Sequence, residues 1–163
     1  MLISQRITPC LWFDDQAEAA AAFYISIFRN SKIVNASHFG DEGREFHGKA
    51  PGTVMTIAFE LEGQTFTALN GGPTFKFNEA ISFQVDCKTQ AEVDYYWDKL
   101  AEDGDPKAQQ CGWLKDRFGV SWQVVPSALI ALIADPKTSQ QATKAMLKMK
   151  KIDIGELERA CAS

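Results

Sequence analysis

The stretch from Cys111 to Gln123, CGWLKDRFGVSWQ, carries a thiol, a cluster of charged side chains and an amide. A cysteine acts as a nucleophile when a neighbouring base, cation or helix N-terminus lowers its pKa. In an extended chain Lys115 could share a face with Cys111, but no histidine lies close in sequence. We therefore favour packing over nucleophilic catalysis for Cys111, and more strongly for Cys10 and Cys87.

The same stretch predicts a hairpin. Residues Asp116 to Gly119 are typical of a turn, and short strands are expected on either side of it. Trp113 and Trp122 would supply bulk, and the charged side chains would lie exposed at the tip of the turn. The function of the stretch then depends on the elements that surround it.

Composition limits the classes of protein that need to be considered. The chain has 163 residues, 45% hydrophobic and 23% charged, which predicts one soluble domain with a real core. It has no apolar run that could span a bilayer and no signal-peptide pattern, so we expect a cytoplasmic protein. A net charge of −4 gives no general attraction for nucleic acid, and the widely spaced cysteines indicate reduced thiols rather than a zinc site.

The first half of the chain alternates strand and helix patterns. A buried strand, RITPCLWF, precedes a helix from about Asp15 to Arg29, for which Asp15 and Glu18 form a capping pair. A strand over residues 32–39 and a loop rich in glycine and charge follow. TVMTIAFEL and QTFTALN are then expected to form an antiparallel hairpin around Glu62-Gly63.

The same order of elements then starts again. ISFQVDC is a strand, and Thr89 with Glu92 predicts a capped helix that ends near Gly104. Sliding the sequence by about 72 positions lays strand on strand and helix on helix, although few residues are identical. The pattern indicates two modules of strand, helix and three strands, at about 5–72 and 78–126.

Beyond Pro126 the pattern becomes helical. SALIALIAD is short and apolar, TSQQATKAMLKMKK has an apolar stripe, and Asp153 with Glu156 caps a last helix. We expect a C-terminal helical extension over 127–163 whose Met-containing stripe packs in the core or against a dimer partner.

Four stretches carry a resemblance to a known family: ITPCLWFDDQAEAAAAFYISIF, FNEAISFQVDCKTQAEVDYYWDKL, QCGWLKDRFGVSWQVVP and AMLKMKKIDIGELERA. They are similar to the PhnB-like family, often labelled 3-demethylubiquinone-9 3-methyltransferase domains, within the vicinal oxygen chelate superfamily. That superfamily includes glyoxalase I, extradiol dioxygenases and bleomycin-resistance proteins. The resemblance implies an α+β fold in a single domain, with two βαβββ modules forming a curved, cup-shaped mixed sheet around a cavity, and a homodimer.

Metal-dependent members of this superfamily take His, Gln or Glu ligands from the first and last strands of each module. The side chains at these places in this chain are Thr8, Cys10, Trp12, Thr67, Ala80, Ser82, Gln84 and Gln123. The family's Asp-Pro-x-Gly-x-x-x-Glu pattern aligns with residues 116–123, so Gln123 stands where a ligand glutamate would be. Such donors make a poor divalent-metal site, so we expect no catalytic metal and no cofactor. A triad of His38, His47 and Glu45 is the remaining metal-binding alternative.

The methyltransferase label implies a methyl donor such as S-adenosylmethionine. Sites for that donor usually follow a Gly-rich turn from strand to helix, whereas LNGGPTFKFN continues into Pro73 and then a strand. We interpret this segment as a link between the modules.

A binding pocket is the better-supported hypothesis, because apolar walls with a few hydrogen-bonding groups are typical of small-molecule sites. The candidate pocket residues are Cys10, Trp12, Thr67, Asn70, Ser82, Gln84, Trp113 and Gln123. We therefore predict a small-molecule-binding protein with no nucleic-acid or membrane partner. The alternative is an enzyme on a small aromatic or quinone-like substrate, acting by methyl transfer or as a metal-dependent lyase or dioxygenase.

Overall fold

The computed structural model describes residues 5–162 and divides into two compact units, with the boundary between Lys76 and Phe77. Each unit holds one mixed sheet, of four strands in the first and three in the second, together with helices. The predicted α+β class is confirmed, whereas the single domain stays a prediction. No helix among the described residues is long and apolar enough to cross a membrane.

The first unit consists of β1 (Cys10–Phe13), α1 (Ala17–Ile27), β2 (Lys32–His38), α2 (Arg44–His47), β3 (Val54–Leu61) and β4 (Gln64–Asn70). The sheet order is β1-β4-β3-β2, in which β1 runs parallel to β4 and the other pairs are antiparallel. The predicted hairpin is confirmed: Glu62 and Gly63 have φ of 49° and 80°, the left-handed pair that a tight hairpin turn requires. The glycine-rich loop differs from expectation by containing the single helical turn α2.

Helix α1 packs on the first sheet through small side chains. Ala17, Ala20 and Ala21 are fully buried, which allows the helix to approach the strands closely. Tyr24 then stacks on Phe59, with ring centroids 6.3 Å apart, to form the centre of this core.

The predicted start of α1 was wrong. The helix begins at Ala17 after Gln16, and no side chain of its own sequence caps it, so Asp15 is not the N-cap. Its first backbone N–H is instead bonded by Asn70 Oδ1 from the end of β4, at 2.8 Å. A capping group supplied by a distant strand leaves no local pattern in the helix sequence.

The second unit consists of β5 (Phe83–Cys87), α3 (Gln90–Ala101), β6 (Trp113–Lys115), β7 (Ser121–Pro126), α4 (Ser127–Ala134), α5 (Ser139–Met146) and α6 (Ile154–Cys161). The sheet order is β5-β7-β6, with β5 parallel to β7 and β6 antiparallel to it. The predicted caps are confirmed: Thr89 Oγ1 accepts from Glu92 N at 3.2 Å, and Asp153 Oδ1 accepts from Glu156 N at 2.8 Å.

The second module lacks the first of the three strands that the repeat predicted after its helix. Between α3 and β6 the structure has a 3-10 turn over Pro106–Ala108, capped by the Asp105 side chain, and one isolated bridge from Gln110 to Trp113. Proline cannot donate to a sheet ladder, which explains why this segment turns rather than pairs. Gly104 allows the chain after α3 to pass close to β6, because an added Cβ there would lie 2.2 Å from the Lys115 carbonyl oxygen.

The C-terminal helices form a small core within the second unit. Leu129, Met149, Ile152 and Leu157 are buried together. Helix α5 ends at Met146, earlier than the predicted stripe, and the chain continues in tighter turns, in which Lys148 N donates to Ala145 O at 3.1 Å and Met149 N to Met146 O at 2.9 Å. Ala142 and Met149 are buried as expected.

Candidate functional site

The loop between β6 and β7 is organised by one buried carboxylate. Asp116 is only 3% exposed, and its Oδ1 accepts from the backbone N–H of Phe118 at 2.8 Å and of Val120 at 3.1 Å. Its Oδ2 accepts from Trp122 Nε1 at 2.9 Å. The prediction that the charged side chains lie exposed at the tip was therefore wrong for Asp116, whose bonds fix the path of the chain into β7.

Three strands of the second unit bring predicted site residues into one row. Gln123, in the central strand β7, is paired in register with Gln84 of β5 and with Trp113 of β6. Gln123 Nε2 donates to Ser82 Oγ at 2.9 Å, and Gln84 Nε2 approaches Gln123 Oε1 at 3.4 Å. Ser82, Gln84, Trp113 and Gln123 belong to the predicted set of pocket residues, and the structure places these four next to one another.

The other face of this sheet belongs to the core. Alternation along β7 turns Trp122 and Val124 to the opposite side from Gln123, and both are buried. The face that carries the Gln123 row is therefore the one on which polar side chains can meet a ligand. We call this row, with Ser82 and Ser121, the amide face.

Ser121 was missed by the sequence reasoning. Its side chain shares a face with Gln123, two residues further along the strand, and it is 2% exposed. Its hydroxyl is buried without a hydrogen-bond partner among the described residues. Buried hydroxyls usually have a partner, so an unpaired one indicates a position that a ligand or a water molecule completes. Alternation from Gln123 would have pointed to it.

A charge pair lies beside Ser121. Lys115, opposite Ser121 in the ladder, forms an ion pair with Glu79. The hydrogen bond from Lys115 lowers the pKa of the Glu79 carboxyl, aided by a backbone hydrogen bond and the lysine charge. The lysine charge is thus already compensated.

In the first unit the candidates are not gathered in the same way. Cys10 pairs in register with Thr67 across β1 and β4, on the face that Trp12 shares by alternation. The Trp12 ring contacts Phe75 edge-on at 4.9 Å, and its Nε1 donates to the Gly72 carbonyl at 2.9 Å. Trp12 is therefore tied to the segment that follows β4.

Asn70 joins β4 to α1 and β3 through its side-chain amide. It is 3% exposed, and its Nδ2 donates to Val54 O and to Glu18 Oε1, each at 3.0 Å, while its Oδ1 caps Ala17. These bonds occupy the amide inside its own unit. A pocket role for Asn70, Cys10, Trp12 and Thr67 stays a prediction.

The thiols lack the features of an activated nucleophile. Burial, with the charges of Glu92 and Asp86, raises the pKa of Cys87 to about 12, and desolvation also raises the pKa of Cys10. Cys111 has a left-handed backbone with φ of 52° and accepts a contact from Gln110 Nε2 at 3.3 Å. The geometry supports the packing interpretation for Cys87 most strongly.

The donor set does not fit a divalent metal. In the second unit, Gln123, Ser82 and Gln84 offer only neutral side chains that already hydrogen-bond one another. In the first unit, Cys10 and Thr67 offer only a thiol and a hydroxyl. Both ring nitrogens of His47 are engaged, because Lys49 N donates to Nδ1 at 2.9 Å and Nε2 lies 3.1 Å from the Glu42 carbonyl oxygen. Within residues 5–162 no group of three or more His, Cys, Asp or Glu side chains is placed to hold a metal ion.

The glycine-rich link does not fit a nucleotide-type methyl donor. A Cβ added at Gly71 would lie 2.3 Å from ring atoms of Trp12, so the indole fills the space that a cofactor would use. Residues 73–82 contain no helix, so this segment has no helix N-terminus that could bind a methyl donor.

The fold and the sequence identify the family. Residues 5–125 match the family described as 3-demethylubiquinone-9 3-methyltransferase, and the chain belongs to this PhnB-like family. The predicted family is confirmed. The match ends inside β7, so helices α4, α5 and α6 follow it as an extension.

Solved structures show the same relationship. A PhnB protein from Bacillus cereus, assigned as a 3-demethylubiquinone-9 3-methyltransferase, is 37% identical, with a TM-score of 0.63, over 76% of this chain and 100% of that one. Protein PA1353 from Pseudomonas aeruginosa is 22% identical, with a TM-score of 0.58, over 76% and 98%. The fosfomycin resistance protein FosX from Listeria monocytogenes is 16% identical, with a TM-score of 0.54, over 82% and 100%. The last two share the fold alone, and a search of curated proteins found no match.

Proposed function

We propose that this protein binds a small, neutral molecule with a flat unsaturated part on the amide face of its second unit. The observation that carries the proposal is the Ser82–Gln123–Gln84 hydrogen-bond chain beside the buried, unpaired hydroxyl of Ser121. Amide and hydroxyl groups recognise neutral donors and acceptors, and Trp113 supplies a flat apolar surface next to them.

The preference for a neutral ligand follows from the charges of this face. Lys115 is compensated by Glu79, and Asp86, at the other end of β5, accepts from Ser127 Oγ at 2.8 Å. An anion entering the row would lose hydration without gaining an unpaired positive charge there, since Lys115 is already paired with Glu79. A neutral amide, phenol or quinone would instead exchange hydrogen bonds with Gln84 and Gln123.

Binding without a catalytic metal is part of the proposal. Gln123 occupies the position of a metal-binding glutamate in the superfamily, and its amide is engaged with Ser82. Restoring the carboxylate in Gln123→Glu leaves only the Ser82 hydroxyl and the Gln84 amide bonded beside it, so we expect no stoichiometric Mn, Ni or Zn in the unaltered protein or in this variant. Elemental analysis after metal loading checks this, and one tightly held ion per chain would contradict it.

A matched pair of probes tests the ligand class. Benzamide and benzoate have the same ring and differ in charge, so benzamide should raise the unfolding midpoint and benzoate should not. A ligand at a hundred times its dissociation constant stabilises by about 2.7 kcal/mol. Gln123→Ala should remove the shift, whereas Gln141→Ala, on an exposed position of α5, should keep it. Equal shifts in both variants, or no shift with benzamide, hydroquinone and related neutral aromatics, would contradict the proposal.

Methyl transfer is the second candidate, because the family description and that of the Bacillus cereus protein name it. It predicts S-adenosylmethionine-dependent methylation of a catechol or quinol by purified protein, lost in Gln123→Ala and kept in Gln141→Ala. The position of Trp12 over Gly71 weighs against it.

A homodimer and a cytoplasmic location also remain proposals. Ile130 and Ile133 are exposed on α4, and Leu147 is exposed beyond α5, which supports self-association through the extension. Light scattering at micromolar concentration checks the dimer, and a monomer would contradict it.

A further inference from the structure

The segment that joins α5 to α6 lies outside the residues that match the family, yet it contacts the candidate site's framework. We call residues 147–154 the strap. Its Met149 and Lys150 carbonyls accept from the backbone N–H groups of Cys111 at 2.9 Å and Gly112 at 2.8 Å. The strap therefore completes the hydrogen bonds of the turn that enters β6.

That turn is conformationally demanding. Cys111 and Gly112 are both left-handed, with φ of 52° and 83°. Gln110 and Trp113 close it by exchanging two backbone hydrogen bonds, of 3.1 and 2.8 Å. A non-glycine residue in this region is held there by its surroundings, and the outward N–H groups of the turn are the ones that the strap binds.

The turn is connected directly to the amide face. The Gly112 carbonyl accepts from Val124 N at 2.8 Å, one residue beyond Gln123. Trp113 follows the turn and pairs in register with Gln123. A change in the turn therefore alters both the direction of the Trp113 side chain and the β6 to β7 register.

Packing leaves little space between strap and turn. A Cβ added at Gly112 would lie 3.0 Å from the Val124 carbonyl and 3.2 Å from Ile152 Cγ1. Ile152 is itself 1% exposed. The strap thus presses a buried side chain against the turn while its carbonyls bind the turn's amides.

Helix α3 holds the far side of the strap. Gln90 Nε2 donates to Ile152 O at 3.0 Å, and Gln90 Oε1 accepts from Ile154 N at 2.9 Å. Lys151 forms ion pairs with Asp94 at 3.0 Å and Asp98 at 3.6 Å. Gln90 donates to one backbone group of the strap and accepts from another, so its side chain fixes the position of the strap.

We propose that the strap is a positioning element of the amide face, with Gln90 as its positioning residue. It contributes no side chain to the row and acts by fixing the Gln110–Trp113 turn. Its importance for ligand affinity rests on the proposed function. Its effect on the turn and on Trp113 is a property of the unliganded chain.

The test uses the full-length chain without ligand. In Gln90→Ala the strap loses two backbone hydrogen bonds, so amide exchange at Cys111 and Gly112 should accelerate by about tenfold or more. Exchange at Phe59, in the first unit, should stay unchanged. In protein labelled with 5-fluorotryptophan, the Trp113 resonance, assigned with Trp113→Phe, should move while that of Trp12 does not.

Gln109→Ala is the matched control, since Gln109 is half-buried next to the turn and takes part in none of the strap bonds described above. It should leave both readouts as in the unaltered protein. Lys151→Met, which removes the ion pairs but keeps the backbone bonds, should accelerate the same amides by a smaller factor. If Gln90→Ala does not fold, amide exchange in Lys151→Met tests the proposal instead.

Unchanged exchange at Cys111 and Gly112 in both strap variants would overturn the proposal, as would equal acceleration throughout the chain. A benzamide affinity unchanged in Gln90→Ala, despite faster exchange, would overturn the positioning role. If the unaltered protein binds no neutral aromatic compound, the proposed function fails, while the exchange and fluorine results still decide whether the strap fixes the turn.

Discussion

The two units share one use of buried polar side chains and differ in another. Asn70 in the first unit and Asp116 in the second are each 3% exposed, and each bonds several groups of its own unit. Ser121 in the second unit is 2% exposed, and its hydroxyl has no partner among residues 5–162. A buried polar group that holds the fold has its bonds completed internally, so Ser121 marks a place that the fold leaves incomplete.

The two units also use their tryptophans differently. Trp12 is bonded to Gly72 and contacts Phe75, so its ring is part of the link after β4. Trp113 pairs with Gln123 and stays half-buried on the amide face. A strand tryptophan thus belongs to the structure of the first unit and to the candidate site of the second.

The largest expected effect is at Asp116. Asp116→Ala leaves two backbone N–H groups and the Trp122 indole without their acceptor, so the free energy of unfolding should fall by about 3–4 kcal/mol. Urea unfolding followed by circular dichroism measures this. Asp98→Ala, at an exposed position on α3, should cost well under 1 kcal/mol; equal losses in both variants would show that the buried bonds are not the cause.

Asn70 should come next. Asn70→Ala removes the cap of α1 and the bond to the Val54 carbonyl, so we expect a loss of about 2–3 kcal/mol. Asn35→Ala, exposed on β2, should change stability by less than about 0.5 kcal/mol. A small loss in Asn70→Ala would mean that Asn70 is available for a ligand, and the contrast between the units would disappear.

The thiols give a smaller, pH-dependent contrast. An unfolded cysteine titrates near 8.5, while burial raises the pKa of Cys87 to about 12, so its stabilisation is complete below about pH 8.5 and is lost as the pH rises towards 12. Cys87→Ala should therefore lose less stability between about pH 7 and pH 10 than the unaltered protein does. Cys10→Ala should follow the unaltered protein more closely, because Cys10 is exposed. Parallel pH profiles for Cys87→Ala and the unaltered protein would contradict this.

Ser121 should show the smallest effect on stability. Removing a buried hydroxyl without a partner relieves desolvation, so Ser121→Ala should leave the free energy of unfolding unchanged or raise it by up to about 1 kcal/mol. A loss similar to that of Asn70→Ala would show that Ser121 is bonded within the fold. Benzamide affinity should fall in the same variant if the hydroxyl contacts the ligand.

The sequence predicted most elements because their signals are local. The Thr89 and Asp153 caps and the Glu62-Gly63 turn depend on residues a few positions apart. The capping of α1 by Asn70 could not be predicted in this way, because it joins residues from opposite ends of a unit. The repeat predicted a strand where Asp105 and Pro106 favour a turn, since alignment of modules does not weigh single residues.

Part of the candidate site was accessible to the same reasoning. Gln123 and its neighbours Gln84, Ser82 and Trp113 were found by their strand positions, and the structure joins them. Ser121 was overlooked because a serine in an apolar strand attracts no attention until its burial and lack of a partner are known. The strap was not predicted, since carbonyl groups that bind a turn have no side-chain signature.

The most direct test of the central claim is the side-chain amide NMR spectrum during a benzamide titration. Binding on the amide face should shift the NH2 resonances of Gln84 and Gln123 and leave that of Asn70, which is bonded inside the first unit, in place. Gln123→Ala should abolish the shift at Gln84. A titration that moves the Asn70 resonance while those of Gln84 and Gln123 stay fixed would contradict the account.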